Sequence, residues 1–242
     1  MNSTLSYWEN YARELRREKI IVEQWRLDRP PLPLGKNFLV ITSWQREDVQ
    51  ESDQIPLIID PGVGFPASHC TTNLIVKLVE RYWQGGRALD VGTGTGVLAM
   101  VAARLVPGAT IDAFDIDKDI VEHAAQSLAL NHLSTQICLR QATIQEYFGG
   151  NYSLIMANLL SPIILQLLTD LCECLALDGR LIISGIPEEA LTSYVVQWRW
   201  GQETIDCMSW ELVRVGVERA GLQVLEVETQ DQWIAAVLMR KA

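Results

Sequence analysis

Basic residues are in short supply. Twenty Lys and Arg stand against 30 Asp and Glu, leaving a formal net charge of -10. Binding nucleic acid through its phosphates needs a basic footprint, so this balance argues against a nucleic-acid partner. Long apolar runs are also missing. The longest, such as residues 159–168, are short and interrupted, so no membrane span is expected. Met1-Asn2-Ser3 leads into polar, charged sequence, so no signal peptide is expected and the compartment is read as cytoplasmic. Histidine is scarce, and His69, His123 and His132 lack metal-ligand spacing. The five cysteines (Cys70, Cys138, Cys172, Cys174, Cys207) are odd in number and contain no C-x-x-C pair. Cys172 and Cys174 lie two apart in a helical pattern and so point in different directions. We read all five as buried free thiols and expect no metal site. No internal repeat or low-complexity tract is present.

What is present is a regular alternation of short apolar runs and helical periodicity. Residues 87–91, 110–114, 135–139, 152–157 and 179–184 read as strands, with helices over 97–106, 118–130 and 163–177 between them. This pattern predicts an α/β fold, a mostly parallel, doubly wound Rossmann-like sheet with helices on both faces. A helix over 208–220 follows, then strands over 222–228 and 233–239. The turn at 229–232 is so short that these two must be antiparallel. Ahead of this core, residues 4–27 read as an amphipathic helix and residues 28–33 (D-R-P-P-L-P) as a stiff extended linker. Two domains are expected: residues 1–50 with that helix, the linker and a short strand, and residues 51–242 as the catalytic unit. An insertion over about 187–207 holds Tyr194, Trp198 and Trp200, which either lid a pocket or pack in the core.

The motif that carries chemistry is Asp90-Val91-Gly92-Thr93-Gly94-Thr95-Gly96, between a predicted strand and helix. Glycines let the chain turn sharply and let a ligand approach backbone that a Cβ would block. The spacing is G-x-G-x-G, whereas dinucleotide sites prefer G-x-G-x-x-G to seat a pyrophosphate. Asp90 would repel a pyrophosphate but suits a cation such as S-adenosylmethionine (AdoMet). Asp115 ends the next strand about 20 residues on, the separation at which an acid reaches a ribose diol. Asp117 reads as the N-cap of the following helix. Asn158, in M-A-N-L-L-S-P, leaves the fourth strand at the edge where such sheets hold ligands. It either orients a methyl acceptor or forms a turn ahead of a Pro-started helix.

These stretches together resemble the PrmA-type ribosomal-protein methyltransferases over residues 25–239. The marks are L-G-K-N-F-L-V-I-T-S-W (34–44), D-P-G-V-G-F (60–65), H-C-T-T (69–72), A-L-D-V-G-T-G-T-G (88–96), A-N-L-L-S (157–161) and D-G-R-L-I-I-S-G-I (178–186). The resemblance implies a class I AdoMet-dependent methyltransferase whose pocket is lined by Asp90, Gly92, Thr93, Gly94, Gly96, Asp115 and Ile116. It also implies that Thr72 and Asn158 lie near the cofactor and that Asn158 faces the acceptor. His69 is a second catalytic candidate, as a general base, or else a loop-packing histidine. Two departures stand out. Pro66-Ala67-Ser68 is shorter and stiffer than the glycine- and threonine-rich loop of the family, and only about 25 residues precede the matched block. The expected activity is N-methylation of a protein. A small-molecule acceptor and a noncatalytic binding module are the alternatives, and oligomeric state is left open.

Overall fold

The computed structural model describes residues 30–46, 49, 52–64, 66–188, 195–200 and 203–241. The helix expected over 4–27 lies outside these residues. A small front sheet comes first, in the order β1 (Leu32–Leu34), β2 (Phe38–Ile41), β3 (Ile55–Ile58). β1 runs antiparallel to β2, and β2 parallel to β3. The end of the expected linker is therefore a strand, and Pro33 is tolerated because β1 is an edge strand. Strands from both sides of residue 50 join here, so the division expected at that residue runs through a hydrogen-bonded sheet.

Helix α1 (Cys70–Tyr82) buries Leu74, Ile75, Leu78 and Val79 and turns polar side chains to two partners. Toward the front sheet, Asn73 Oδ1 accepts from Gly35 N at 2.8 Å, and Glu80 accepts from the backbone N–H groups of Lys36 and Asn37. These bonds satisfy the amides of the β1–β2 turn, where unpaired N–H groups would be costly.

The main sheet contains β4 (Arg87–Val91), β5 (Thr110–Asp115), β6 (Ile137–Gln141), β7 (Tyr152–Asn158) and β8 (Leu175–Pro187). A two-stranded hairpin follows, β9 (Val195–Trp200) with β10 (Glu203–Met208), within the expected insertion. Tyr194 and the side chains of Trp198 and Trp200 lie outside the description. β11 (Leu222–Gln230) and β12 (Trp233–Arg240) complete the seven-stranded order β11-β12-β8-β7-β4-β5-β6. β12 is antiparallel to both β8 and β11, as the short turn at Asp231 and Gln232 requires; both residues have positive φ.

Three helices cover one face: α1, α2 (Val97–Leu105) and α3 (Lys118–Leu130). Two cover the other: α4 (Ser161–Cys174) and α5 (Trp210–Arg219). One apolar cluster lies on each side of the sheet, with β12 alternating Trp233, Ala235 and Val237 into the first and Ile234, Ala236 and Leu238 into the second. This alternation is what a strand buried on both faces needs. Edge strand β11 is guarded by polar pairs to α1. Asn73 and Lys77 donate to Gln230, Arg81 pairs with Glu226 and Glu228, and Tyr82 donates to Glu226.

Two elements differ from expectation. The third strand starts at Ile137 rather than 135, because residues 131–136 close the end of α3 with turn hydrogen bonds such as Leu133 N to Leu128 O at 2.9 Å. Helix α4 stops at Cys174, not 177, and β8 begins at once, because Leu175 pairs with Tyr152 across the sheet. The register then shifts so that Leu154 meets Arg180. At Gly179 an added Cβ would stand 2.6 Å from the Tyr152 carbonyl oxygen, so this bulge tolerates only glycine. The cysteines also correct the reading. All five are free, but Cys138 is exposed on β6 and Cys70 half-buried; Cys172, Cys174 and Cys207 are buried.

Gly185 has φ +93°, and a Cβ there would lie 2.1 Å from the Leu159 carbonyl oxygen. Gly185→Ala is expected to destabilise the protein by at least about 2 kcal/mol through backbone strain and displacement. A urea midpoint equal to that of the unaltered protein would show that the approach is not a constraint.

Candidate functional site

The site lies along the C-terminal ends of β4, β5 and β7, and the first corner decides its shape. Gly92, Gly94 and Gly96 all take left-handed φ, at +67°, +56° and +82°. A Cβ on Gly92 would meet Leu159 Cδ2 at 2.6 Å. Leu159 is thus held between Gly92 and Gly185, which seats the Asn158-Leu159-Leu160 corner against the glycine turn. Thr93 N donates to Phe114 O at 2.9 Å, and Gly96 N donates to Thr93 O at 2.9 Å, fixing the turn to β5.

Gly96 is the N-cap of α2 and has no side chain to cap with. Asp90 supplies the missing acceptor from beneath. Its Oδ2 accepts from Ala99 N at 3.1 Å and from Thr93 Oγ1 at 2.7 Å. Its Oδ1 is buried and unpartnered. Asp90 is only 1% exposed, so its charge acts on the site through the turn rather than at the surface. Burial pushes its carboxyl up to about 6, with the neighbouring Asp115 adding to the rise and the Thr93 and Ala99 bonds opposing it.

Asp115 ends β5 and is 8% exposed. One oxygen accepts from Gly94 N at 3.3 Å and the other from Asp117 N at 3.1 Å. Burial raises its pKa, while the backbone donors at Asp117 and Gly94 hold it down. Asp117 itself caps α3 by accepting from Asp119 N at 2.8 Å. Ile116 is 56% exposed beside this carboxylate, an apolar side chain left uncovered at the ligand edge.

Asn158 ends β7 and its Nδ2 donates to Thr72 Oγ1 at 3.2 Å, so the sheet edge and the first turn of α1 meet there. His69 sits at the N-cap of α1. Its Nδ1 accepts from Thr71 N at 3.3 Å and lies 2.9 Å from Thr71 Oγ1, and the ring packs edge-on against Trp233 with centroids 5.3 Å apart. Burial lowers its pKa and Asp231 opposes that, so the ring is mostly neutral at pH 7. With Nδ1 accepting, the neutral ring carries its proton on Nε2, and Nδ1 is committed to the helix cap. The structure therefore brings Asp90, the glycines, Thr93, Asp115 and Ile116 into one corner, and Thr72, Asn158 and His69 into an adjoining one. Sequence reasoning did not single out Leu159, Gly185 or Trp233. Gly185 stands in the S-G-I block, but its need for glycine arises only from the Leu159 carbonyl brought to it by tertiary packing.

A glycine-rich corner over a buried acid, with a second acid ending the neighbouring strand and an antiparallel β12 inside an otherwise parallel order, defines the class I AdoMet-dependent methyltransferase fold. The sequence matches the profile of the family described as ribosomal protein L11 methyltransferase (PrmA) over residues 8–211, and the chain belongs to that family. A relative from Bacillus pumilus named ribosomal protein L11 methyltransferase is 30% identical over 88% of this chain and 63% of its own length. One of the same name from Pelobacter propionicus is 33% identical over 90% of this chain and 66% of its own length. The chain thus spans just under two thirds of these relatives. The crystal structure of a ribosomal protein L11 methylase from Lactobacillus delbrueckii subsp. bulgaricus aligns with a TM-score of 0.74 at 26% identity, covering 88% of this chain and all of that one. A Burkholderia thailandensis 1,6-didemethyltoxoflavin-N1-methyltransferase with bound S-adenosylhomocysteine shares the fold, at TM-score 0.55 and 12% identity.

A carboxyl that keeps its proton to about pH 6 when folded, but releases it near 3.9 when unfolded, binds more protons in the folded state. Its contribution to stability is present below about pH 4 and is lost as pH rises through about 6. Asp90→Asn removes that titration. Its melting temperature relative to the unaltered protein is expected to rise between pH 4 and pH 7, by the equivalent of up to about 3 kcal/mol. A pH-independent difference would contradict the raised pKa.

Proposed function

We propose that this chain binds AdoMet and transfers its methyl group to an amine nitrogen of a protein. The observation that supports the reading is the Asn158–Thr72 contact beside the glycine corner, an amide at the edge of the sheet where an acceptor could be oriented. The residues present suit the cofactor. The unpartnered Asp90 Oδ1 places negative charge under a corner that would hold a cation, and no Cβ at 92, 94 or 96 blocks the backbone. The Asp115 carboxylate is held by backbone N–H groups, and with about four lone-pair sites it keeps capacity to accept a ribose hydroxyl. Ile116 offers apolar surface to a flat base.

AdoMet supplies an electrophilic methyl on a sulfonium whose thioether leaves without acid assistance. The protein's task is then alignment and exclusion of water, which contribute up to about 7–11 kcal/mol in well-oriented reactions. Asn158 orients the acceptor nitrogen, with Thr72 holding the amide in place. His69 and Trp233 wall that side. An amine near pKa 10.4 must lose its proton before it attacks, and with Nδ1 of His69 committed to a cap, solvent takes that proton.

The named function of the relatives points to a ribosomal protein as the acceptor and the cytoplasm as the compartment. Among the described residues no helix is long and apolar enough to cross a membrane.

Asp115→Ala is expected to weaken AdoMet binding by about 1–3 kcal/mol, the loss of hydrogen bonds to a charged acceptor, measurable by calorimetry. Unchanged affinity would remove Asp115 from the pocket. With labelled AdoMet and a bacterial lysate, label is expected in protein, at a rate that rises with pH between 7 and 9 as the amine deprotonates. Label confined to small molecules would overturn the acceptor assignment, and a flat pH profile the amine.

A further inference from the structure

The segment around Gly62 and Gly64 is wedged between the glycine corner and α3. A Cβ on Gly64 would stand 3.3 Å from the carbonyl carbon of Gly94, so this segment lies directly against the middle of the corner. On its other side, a Cβ on Gly62 would meet the His123 ring at 2.2 Å from Cε1, 2.5 Å from Nδ1 and 2.8 Å from Nε2. Gly64 has φ +113°, but Gly62 is not among the residues with positive φ. Backbone conformation therefore makes no demand for glycine at 62. The imidazole alone does.

His123 is 9% exposed, on the helix that starts just after Asp115, and a Cβ added to Gly96 would stand 3.7 Å from Cβ of its neighbour Ala124. The ring thus fills the gap between a helix fixed to the corner and a segment lying over it. Nothing in the proposed chemistry uses this imidazole, and burial holds it neutral at pH 7, against the pull of Asp60. A neutral ring wedged against backbone acts as a spacer.

We propose that His123 is a positioning residue that sets the height of the 60–64 segment over the glycine corner and thereby sets the affinity for AdoMet. The inference rests on the AdoMet reading above and assigns a role to a residue outside the pocket lining.

The test is a double-mutant cycle with Gly62→Ala and His123→Ala, reading the AdoMet dissociation constant by calorimetry and the ligand-free melting temperature in parallel. Gly62→Ala, forced against the ring, is expected to weaken binding about tenfold, equivalent to about 1.4 kcal/mol. His123→Ala, which lets the segment sink, is expected to weaken it by a similar factor. The double variant is expected to bind better than Gly62→Ala alone, because the new methyl occupies space the ring has left. If the double variant binds no better than Gly62→Ala, or if His123→Ala lowers only the melting temperature and leaves the dissociation constant alone, the spacer role is overturned. Should His123→Ala fold poorly, His123→Asn withdraws the ring and carries the same comparison. Failure of the unaltered protein to bind AdoMet would instead sink the cofactor reading itself.

Discussion

The corner between β4 and α2 depends on one buried carboxylate. The tight turn puts glycine at the N-cap of α2, and glycine has no side chain to satisfy the first amides of the helix. Asp90 resolves the conflict from below, bonding Thr93 and the third amide of α2 with one oxygen and leaving the other unengaged. The cost is a charge in a dry place, visible as a raised pKa. The residue beneath the glycine corner is therefore also the one that holds the helix start.

Around this corner the chain repeatedly joins elements by backbone approach. Leu159 lies between Gly92 and Gly185, and the 60–64 segment between Gly94 and His123. The front sheet is tied in by side chains that imitate a strand. Asn131, at the end of α3, accepts from Ile58 N at 2.9 Å and donates to Ile58 O at 2.7 Å, as a neighbouring strand would. With Asn73 and Glu80 of α1 holding the β1–β2 turn, the front sheet is secured at two places to helices that also border the site.

The alternating pattern made the order of strands and helices after residue 87 legible, because period and glycine punctuation are local properties. The start of β6 and the α4–β8 junction were not, since the first is set by the turn that closes α3 and the second by a strand partner far along the chain. The apolar run after Leu171 is good helix sequence until Tyr152 claims Leu175 as a strand partner. In the site, acidic residues at strand ends stood out by type and spacing. The inward turn of Asp90 did not, because a carboxylate before a glycine turn reads the same whether it faces ligand or helix. For His69 the sequence left a general base and a packing histidine open, because the cap its Nδ1 makes to Thr71 N depends on where α1 starts.

The α4–β8 junction has no connecting residues at all, Cys174 ending one element and Leu175 beginning the next. At the opposite end of β8 the chain departs into the β9–β10 hairpin before returning through Met208, whose N–H donates to Ser161 Oγ at 2.7 Å. Slack is thus distributed unequally between the two ends of β8. The hairpin can be lengthened or exchanged, while the α4–β8 junction admits no extra residue without breaking the Tyr152–Leu175 pairing. A designer wishing to retarget this scaffold would graft onto the hairpin and leave the α4–β8 junction untouched.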